Sequence, residues 1–268
     1  MDSVGAAVRA LFVYPVKSCR GIALERAVLE RRGVRHDRRW MIVDAEGVFV
    51  TQRTEPRLAC IEVAVDDALV LRAPHAPPLR VPFEPPPGAA RRRVRVWRDQ
   101  ADALDCGPEA SAWLSAWLGA PASLVFMPDD VERPVDPKRA RPGDIVGFAD
   151  AYPLLLASTS SLDELNARLD TPVPMDRFRP NVVVDGCAPW AEDGWRRVRI
   201  GDVPVRVLKP CDRCVVTSTD QRTGERGVEP LRTLASFRKH GNEVLFAQNA
   251  VHDAPGTIAV GDAVTVLE

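Results

Sequence analysis

The sequence predicts a mainly β protein of the α+β type: two packed barrel-like β domains with a few short helices. Short apolar runs with alternating pattern recur along the chain, and Gly, Pro and Asp punctuate them at turn spacing. Only three segments show convincing helical spacing, which favours closed β architecture over a layered α/β sheet.

Ala7 to Val13 alternates imperfectly and ends at Tyr14-Pro15, as a first strand does. Ala27 to Glu30 and Trp40 to Val43 are further short strands, and Ala45-Glu46-Gly47 turns the chain from Val43 back to Val48. Cys60 to Val65 and Ala68 to Leu71 flank Asp66-Asp67 as another hairpin. Pro74 to Pro87 is too rich in proline for a core strand and reads as an extended connection or edge segment. Arg91, Arg92, Arg93, Arg95 and Arg98 follow. They could form a phosphate-binding patch, but Val94 and Val96 alternate with Arg93 and Arg95 as in a half-exposed strand, which is the better reading. Pro108 to Leu118 is the first helix, with Trp113, Leu114, Trp117 and Leu118 as its core-facing stripe and Gly119 and Pro121 as its stop. Met127 to Gly143 is a polar, proline-containing loop, and the domains are expected to span residues 1–125 and 126–268.

Pro153 to Ala157 reads as a buried strand running into Ser158-Thr159-Ser160-Ser161, then Leu162, Leu165 and Leu169 at helical spacing. Ser161 with Glu164, and Ser160 with Asp163, fit the capping-box pattern. The free N–H groups of such a helix start suit an anion, and they equally suit a capped helix with nothing bound. Asn181 to Val184 is a strand. Val198 to Ile200, the turn Gly201-Asp202, and then Val203, Val205 and Val207 form a strong hairpin. Its second strand runs straight into Lys209-Pro210-Cys211-Asp212-Arg213-Cys214. Pro230 to Lys239 is a short helix with Pro230 in its first turn and Gly241 after it. Thr257 to Leu267, broken by Gly261-Asp262, reads as a last hairpin.

Hydrophobic residues at 46% and charged residues at 27% exclude disorder over the whole length. Lys+Arg 36 against Asp+Glu 37 gives a net charge of -1, which argues against a nucleic-acid partner. No apolar run reaches the roughly 20 residues that span a bilayer. Val4 to Val16 is apolar but is interrupted by Arg9, preceded by Asp2, and lacks a basic n-region, so no signal peptide is expected and the cytoplasm is the default. The 6 cysteines are too few for a disulfide scaffold in a chain of 268 residues.

Cys211-x-x-Cys214 is the first candidate for chemistry. Lys209 and Arg213 flank it, and cationic neighbours favour the thiolate, the form that binds metals and attacks electrophiles. Structural zinc needs four ligands, and neither a second such pair nor grouped histidines are present. A thioredoxin-like dithiol needs a following helix, whereas Val215-Val216-Thr217 reads as strand. The third reading is one thiolate on a soft metal held mainly by something else; spacing alone does not choose among the three. Anion-competent groups are spread over Lys17-Ser18, Arg38-Arg39, Arg53, Arg57, Arg177, Arg179 and Asn181. No GxGxxG after a strand, Walker loop, HExxH or GxSxG occurs.

Several motifs occur in one order: Tyr14-Pro-Val-Lys-Ser-Cys19, His36-Asp-Arg-Arg-Trp40, Thr51-Gln-Arg with Glu55-Pro-Arg-Leu58, Phe178-Arg-Pro-Asn181, Pro210-Cys-Asp-Arg-Cys214, Thr217-Ser-Thr-Asp220 and Phe246-Ala-Gln-Asn249. Over nearly its whole length the chain thereby resembles the MOSC-domain proteins that carry a MOSC N-terminal β-barrel domain, among them the mitochondrial amidoxime-reducing components and their bacterial counterparts. The resemblance implies the pyranopterin molybdenum cofactor, with Cys214 as the one thiolate ligand and Cys211 a neighbour. Carried over by motif, Lys17, Ser18 and Arg38 would hold the pterin and phosphate end. Ser158, Thr159 and Ser160 would lie at the anion-competent helix start, and Arg179 and Asn181 in the FRPN motif. Gln248 and Asn249 would complete the pocket, Asn249 standing where vertebrate members have tyrosine. Asp220 is a candidate proton donor or substrate contact. The family is also associated with pyridoxal phosphate binding, which none of these motifs carries.

The implied reaction is reduction of a small N-hydroxylated substrate, N–OH to N–H plus water. Vertebrate members carry an N-terminal membrane anchor and some bacterial members a fused ferredoxin-like domain with four cysteines; in both respects this chain is expected to depart from them. Electrons would come from a separate ferredoxin, flavoprotein or cytochrome b5-like donor. Two other roles stay open: a sulfur carrier using a Cys214 persulfide, and a module that binds and passes on molybdenum cofactor.

Overall fold

The computed structural model describes residues 5–268 of the chain. Asp2 and Val4, used above in reading the N-terminus, lie outside them. The fold is mainly β, two packed barrel-like bodies with three α-helices among the described residues.

The larger body is a nine-stranded sheet in the order Val264–Val266, Arg197–Ile200, Val203–Asp212, Glu243–His252, Leu154–Ser158, Val182–Asp185, Ala7–Val13, Ile22–Leu24, with Lys239–His240 paired to the side of Glu243–His252. Leu154–Ser158 and Val182–Asp185 run parallel, with helix Thr159–Asn166 in the crossover that parallel pairing requires. Val203, Val205 and Val207 alternate inward and meet Leu11, Leu156, Val184 and Val198 in one core.

The N-terminal segment is stitched into this sheet. Ala7–Val13 pairs with Val182–Asp185, placing Leu11 opposite Val182, and Arg26–Glu30 pairs with Gly256–Ala259. The chain then builds the second body from two sheets. One is Trp40–Val43, Ser123–Phe126, Asp99–Asp105 and Arg91–Val96; the other is Glu62–Val65, Leu69–Arg72 and Leu79–Val81. Leu79–Val81, inside the proline-rich stretch, is an edge strand of the second sheet. In Arg91–Val96 the valines are buried, while Arg91, Arg92 and Arg93 pair with Asp130, Asp105 and Asp102. The arginine run is thus the solvated face of a strand.

Helix Pro108–Leu118 closes this body. Leu114 is fully buried among Trp40, Leu58, Leu69 and Leu124, and Gly119 ends the helix at φ 75°. Leu114→Ala is expected to lower stability by about 2–5 kcal/mol in urea unfolding, the range for a buried leucine whose site cannot collapse. A loss within about 0.5 kcal/mol, typical of a surface change, would contradict this packing.

Three local readings are corrected. Thr257 to Leu267 is no hairpin: Gly256–Ala259 pairs with Arg26–Glu30 and Val264–Val266 with Arg197–Ile200. The Gly261-Asp262 bend, where the Ala259 N–H donates to Asp262 at 2.7 Å, redirects the chain between sheets. Val215–Ser218 is a 3₁₀ turn and no strand, because the Thr217 N–H and hydroxyl both donate to the Cys214 carbonyl. The cap of helix Thr159–Asn166 is Ser158, whose hydroxyl accepts from the Ser161 N–H at 3.1 Å, so neither proposed capping box forms.

The loop after Phe126 is pinned by Arg133. This guanidinium, 5% exposed, donates to Asp99 at 2.8 Å and to the Gly147, Ala149 and Asp150 carbonyls at 2.9, 2.5 and 2.9 Å. Among the described residues no helix is long and apolar enough to cross a membrane.

Candidate functional site

Both bodies contribute to a cleft with about 810 Å³ of space, part of it open to solvent. It is lined by seven of the twelve residues expected at the cofactor site: Lys17, Ser18, Arg38, Arg179, Asn181, Cys214 and Asn249.

Local backbone geometry brings them together. Ser18, Arg38 and Arg179 have φ of 70°, 47° and 57°, left-handed conformations that non-glycine residues adopt rarely. Such positions persist only where the surroundings over-determine them, and they concentrate at functional sites. Tyr14 supplies much of that constraint. Its carbonyl accepts from the Arg38 N–H at 2.8 Å, its hydroxyl donates to the Pro180 carbonyl at 3.1 Å, and its ring lies 4.2 Å from the Arg38 and 4.3 Å from the Arg179 guanidinium. Arg38 donates to Asp37 at 2.6 Å, Asn181 at 3.3 Å and the Arg179 carbonyl at 3.3 Å. Asn181 is engaged at both ends, donating to Asp37 and accepting from the Leu155 N–H as well as Arg38, so it positions its neighbours.

Gly147 allows the backbones to approach here. A Cβ at this position would sit 2.8 Å from the Arg38 carbonyl and 3.1 Å from that of Asp37. Gly147→Ala is therefore expected to displace Arg38 and weaken sulfate binding in the cleft severalfold in isothermal titration; unchanged affinity would show that Arg38 does not depend on this approach.

The cleft is cationic, and two of its cations, Lys17 and Arg179, are buried. Burial pulls the Lys17 amine down from 10.5 to about 8, although Asp150 opposes the shift. Desolvation works against the Asp150 carboxylate, yet Lys17 and Arg53 hold it well below the usual carboxylate range. Burial likewise lowers Arg179 to about 10. One Arg179 guanidinium nitrogen, Nη2, is buried without a partner, and so is Arg213 Nε. Buried donors of this kind are costly unless something supplies an acceptor.

The two cysteines sit at a disrupted strand end. Val203–Asp212 loses register against Glu243–His252 between Val207 and Lys209 and again between Pro210 and Asp212. Bulges of this kind re-aim side chains. Cys211 Sγ accepts from Arg213 Nη1 at 2.9 Å, and Arg213 Nη2 also donates to the Phe178 carbonyl at 2.7 Å. Cys214 follows as a half-buried extended residue at φ −118°. Among the described residues no group of three or more His, Cys, Asp or Glu could hold a metal. A metal at Cys214 would have to take most of its ligands from a partner molecule. One soft sulfur, a wall of cations and unpartnered guanidinium donors fit a soft metal carried by an anionic organic group.

Five predicted site residues do not line this cleft. The Ser158 hydroxyl is fully buried, contacts Ser161, and donates to both Glu192 oxygens at 3.0 Å. Thr159 donates to Asp185 at 2.6 Å, and Ser160 faces Ser158 and Cys187. The helix start that suits an anion thus faces the chain's own Glu192 carboxyl. Gln248 donates to Asp193 at 2.7 Å, away from the cleft. Asp220 is a turn former: it accepts from the Arg222 and Thr223 N–H groups and pairs with Arg177 at 2.9 Å. Sequence reasoning missed Asp150 and Tyr152, which line the cleft from the loop pinned by Arg133. No motif marks them; Arg53 and Arg213 also line it, and both stand in motifs quoted above.

Comparison with known proteins agrees with this architecture. The MOSC N-terminal beta barrel domain matches residues 5–121 and the MOSC domain residues 143–265. Mitochondrial amidoxime-reducing component 1 of Homo sapiens is 37% identical over 100% of this chain and 84% of its own length. Molybdenum cofactor sulfurase of Homo sapiens is 30% identical over 95% of this chain and 31% of its own. Among solved structures, the YUAD protein from Bacillus subtilis covers 97% of this chain and 94% of its own at 8% identity, with a TM-score of 0.43, too loose a likeness to carry weight. Domain matches and full-length identity together establish that the chain belongs to the MOSC-domain family, with a MOSC N-terminal β-barrel domain preceding its MOSC domain.

Proposed function

We propose that the chain is a molybdenum-cofactor-dependent oxidoreductase that reduces N-hydroxylated compounds, N–OH plus two electrons and two protons giving N–H and water. The carrying observation is that Cys214 shares one cleft with Lys17, Arg38 and a partly unpartnered Arg179. Similarity to an amidoxime-reducing component supports the reaction type, and similarity to a molybdenum cofactor sulfurase supports the cofactor.

In this reading Cys214 Sγ ligates the metal. Lys17, Ser18, Arg38 and Arg179 hold the pterin and phosphate end, with Asn181 fixing Arg38 and Asn249 also lining the cleft. When bound, the cofactor would supply two-electron chemistry and an acceptor for the substrate oxygen. Lys17 Nζ, lowered to about 8, is still an ammonium near neutral pH and can meet an anion at the cleft wall. A separate ferredoxin, flavoprotein or cytochrome b5-like protein delivers the electrons.

The test is protein purified from molybdate-supplied cells, analysed for molybdenum and pterin and assayed for benzamidoxime reduction with reduced methyl viologen. Near-stoichiometric molybdenum with turnover is expected. Bound molybdenum and pterin without turnover would leave a cofactor-transfer module; sulfane sulfur on Cys214 without molybdenum would leave a sulfur carrier.

A further inference from the structure

The His36-Asp-Arg-Arg-Trp40 motif gives only Arg38 to the cleft. His36, Arg39 and Trp40 instead line a second pocket with about 1210 Å³ of space, part of it open to solvent. It shares no lining residue with the cleft. His36 and Arg38 have φ of 67° and 47°, and these two left-handed residues let one short segment wall both cavities. Backbone of this kind concentrates at functional sites.

Four of the lining residues are rings packed on one another. His36 stacks on Phe83 with centroids 5.0 Å apart, and Trp40 meets Phe126 at 5.2 Å and Phe83 at 6.3 Å. Burial lowers the His36 imidazole from its ordinary value, so it is an uncharged ring at neutral pH. Trp40 is fully buried, yet its Nε1, which can only donate, has no hydrogen-bond partner. A buried indole N–H ordinarily finds an acceptor, and leaving it bare is costly.

The charges around the rings are committed or negative. Arg35 pairs with Glu30 at 2.6 Å. Arg39 pairs with Asp129 at 2.8 Å and donates twice to the Met127 carbonyl. Asp130 pairs with Arg91, and Glu84 is exposed with no cation paired to it among the described residues. The lining therefore offers an anion no free guanidinium and one surplus carboxylate. A protonated ring nitrogen, for its part, has no lone pair left for the Trp40 N–H.

We propose that this pocket is a second ligand site, which takes an uncharged flat heterocycle that packs against the rings and accepts the Trp40 N–H. Nothing in this site depends on the chemistry at Cys214.

The probes are benzimidazole and indole, bicycles of one shape that differ in a ring-nitrogen acceptor, together with benzimidazole carboxylate. Binding to the full chain is measured by equilibrium dialysis above neutral pH, where benzimidazole is uncharged. Saturable benzimidazole binding is expected, about tenfold tighter than that of indole, because only benzimidazole satisfies the buried donor. Benzimidazole carboxylate should bind more weakly than benzimidazole. Phe83→Ala should weaken benzimidazole about three- to tenfold, the size of one aromatic contact. Glu84→Lys should raise the affinity of the carboxylate severalfold and change that of benzimidazole little. In Trp40→Phe the preference for benzimidazole over indole should vanish; if that variant fails to fold, Phe83→Ala and Glu84→Lys carry the test. Lys17→Met, which alters the cleft, should leave benzimidazole affinity unchanged. No binding to the wild type, equal affinity for benzimidazole and indole, or an unchanged affinity in Phe83→Ala would overturn the proposal. So would losses in Lys17→Met that match those in Phe83→Ala, which would put the ligand in the cleft.

Discussion

Replacing Cys214 with serine is expected to strip molybdenum from the protein and abolish benzamidoxime reduction together. A serine hydroxyl must give up a far less acidic proton than a thiol before it can ligate a metal, so the loss should exceed the roughly 10–100-fold that follows removal of a ligand's outer partner. The fold should tolerate the change. Cys214 is extended at φ −118° and ψ −179° at the start of the Val215–Ser218 turn, backbone geometry that serine adopts readily. Cys211→Ser makes the opposite case. Cys211 Sγ accepts from Arg213 at 2.9 Å, and a serine oxygen can take the same donor, so Arg213 keeps its place against the Phe178 carbonyl. Activity within about tenfold of wild type is expected, because the Arg213 hydrogen bond is retained and at most weakened. Molybdenum content, turnover and thermal unfolding of both variants check this. Equal losses in both would point to a dithiol or zinc site; a fully active, molybdenum-replete Cys214→Ser would remove the ligand assignment.

What the sequence makes legible, and what it hides, follows from the range of the interactions. Helix Pro108–Leu118 is readable to its ends because its stripe, its first-turn proline and its terminal glycine are all local. The burial of Val94 and Val96 between exposed arginines in Arg91–Val96 is likewise a period-two pattern. Thr257 to Leu267 shows the opposite: two alternating runs around Gly-Asp look like a hairpin, yet each run finds its partner far away, in Arg26–Glu30 and Arg197–Ile200. The site divides in the same way. Lys17, Arg38, Arg179 and Cys214 stand in distinctive motifs and meet in one cleft. Ser158 also stands in a suggestive segment, but Glu192, 34 positions later, takes its hydroxyl. Asp150 has no motif around it; its role comes from Lys17, Arg53 and Trp97, which converge on it from distant parts of the chain. Local periodicity reports which face of an element is buried, and it carries no information about which charge a distant element will bring to that face.

Raising the pH from about 7 to about 9.5 is expected to weaken anion binding in the cleft by about tenfold, the loss of a charge-assisted hydrogen bond, without destabilising the fold through Lys17. Burial lowers the Lys17 amine from 10.5 to about 8, Asp150 opposing and the Arg133 and Arg53 cations adding to the shift. Below about 8 the amine is an ammonium facing the cleft; above it the charge is gone. In the unfolded chain the same amine keeps its proton until about 10.5, so between about 8 and 10.5 the folded form binds fewer protons. Stability gained from this group therefore rises with pH across the window in which ligand affinity falls. Sulfate is a suitable probe, since its own charge is constant over this range. Isothermal titration with sulfate should show affinity falling across the window, while the stability of the wild type relative to Lys17→Met in urea unfolding, which isolates this amine from the buried thiols that titrate in the same range, should rise. Lys17→Met should abolish the step in sulfate affinity, and Asp150→Asn should shift it to lower pH by removing the carboxylate that keeps Lys17 protonated. A flat sulfate affinity in the wild-type protein, or a step that survives in Lys17→Met, would show that Lys17 is not the cation that meets the anion. A stability of the wild type relative to Lys17→Met that falls across the window would mean that burial does not lower this amine.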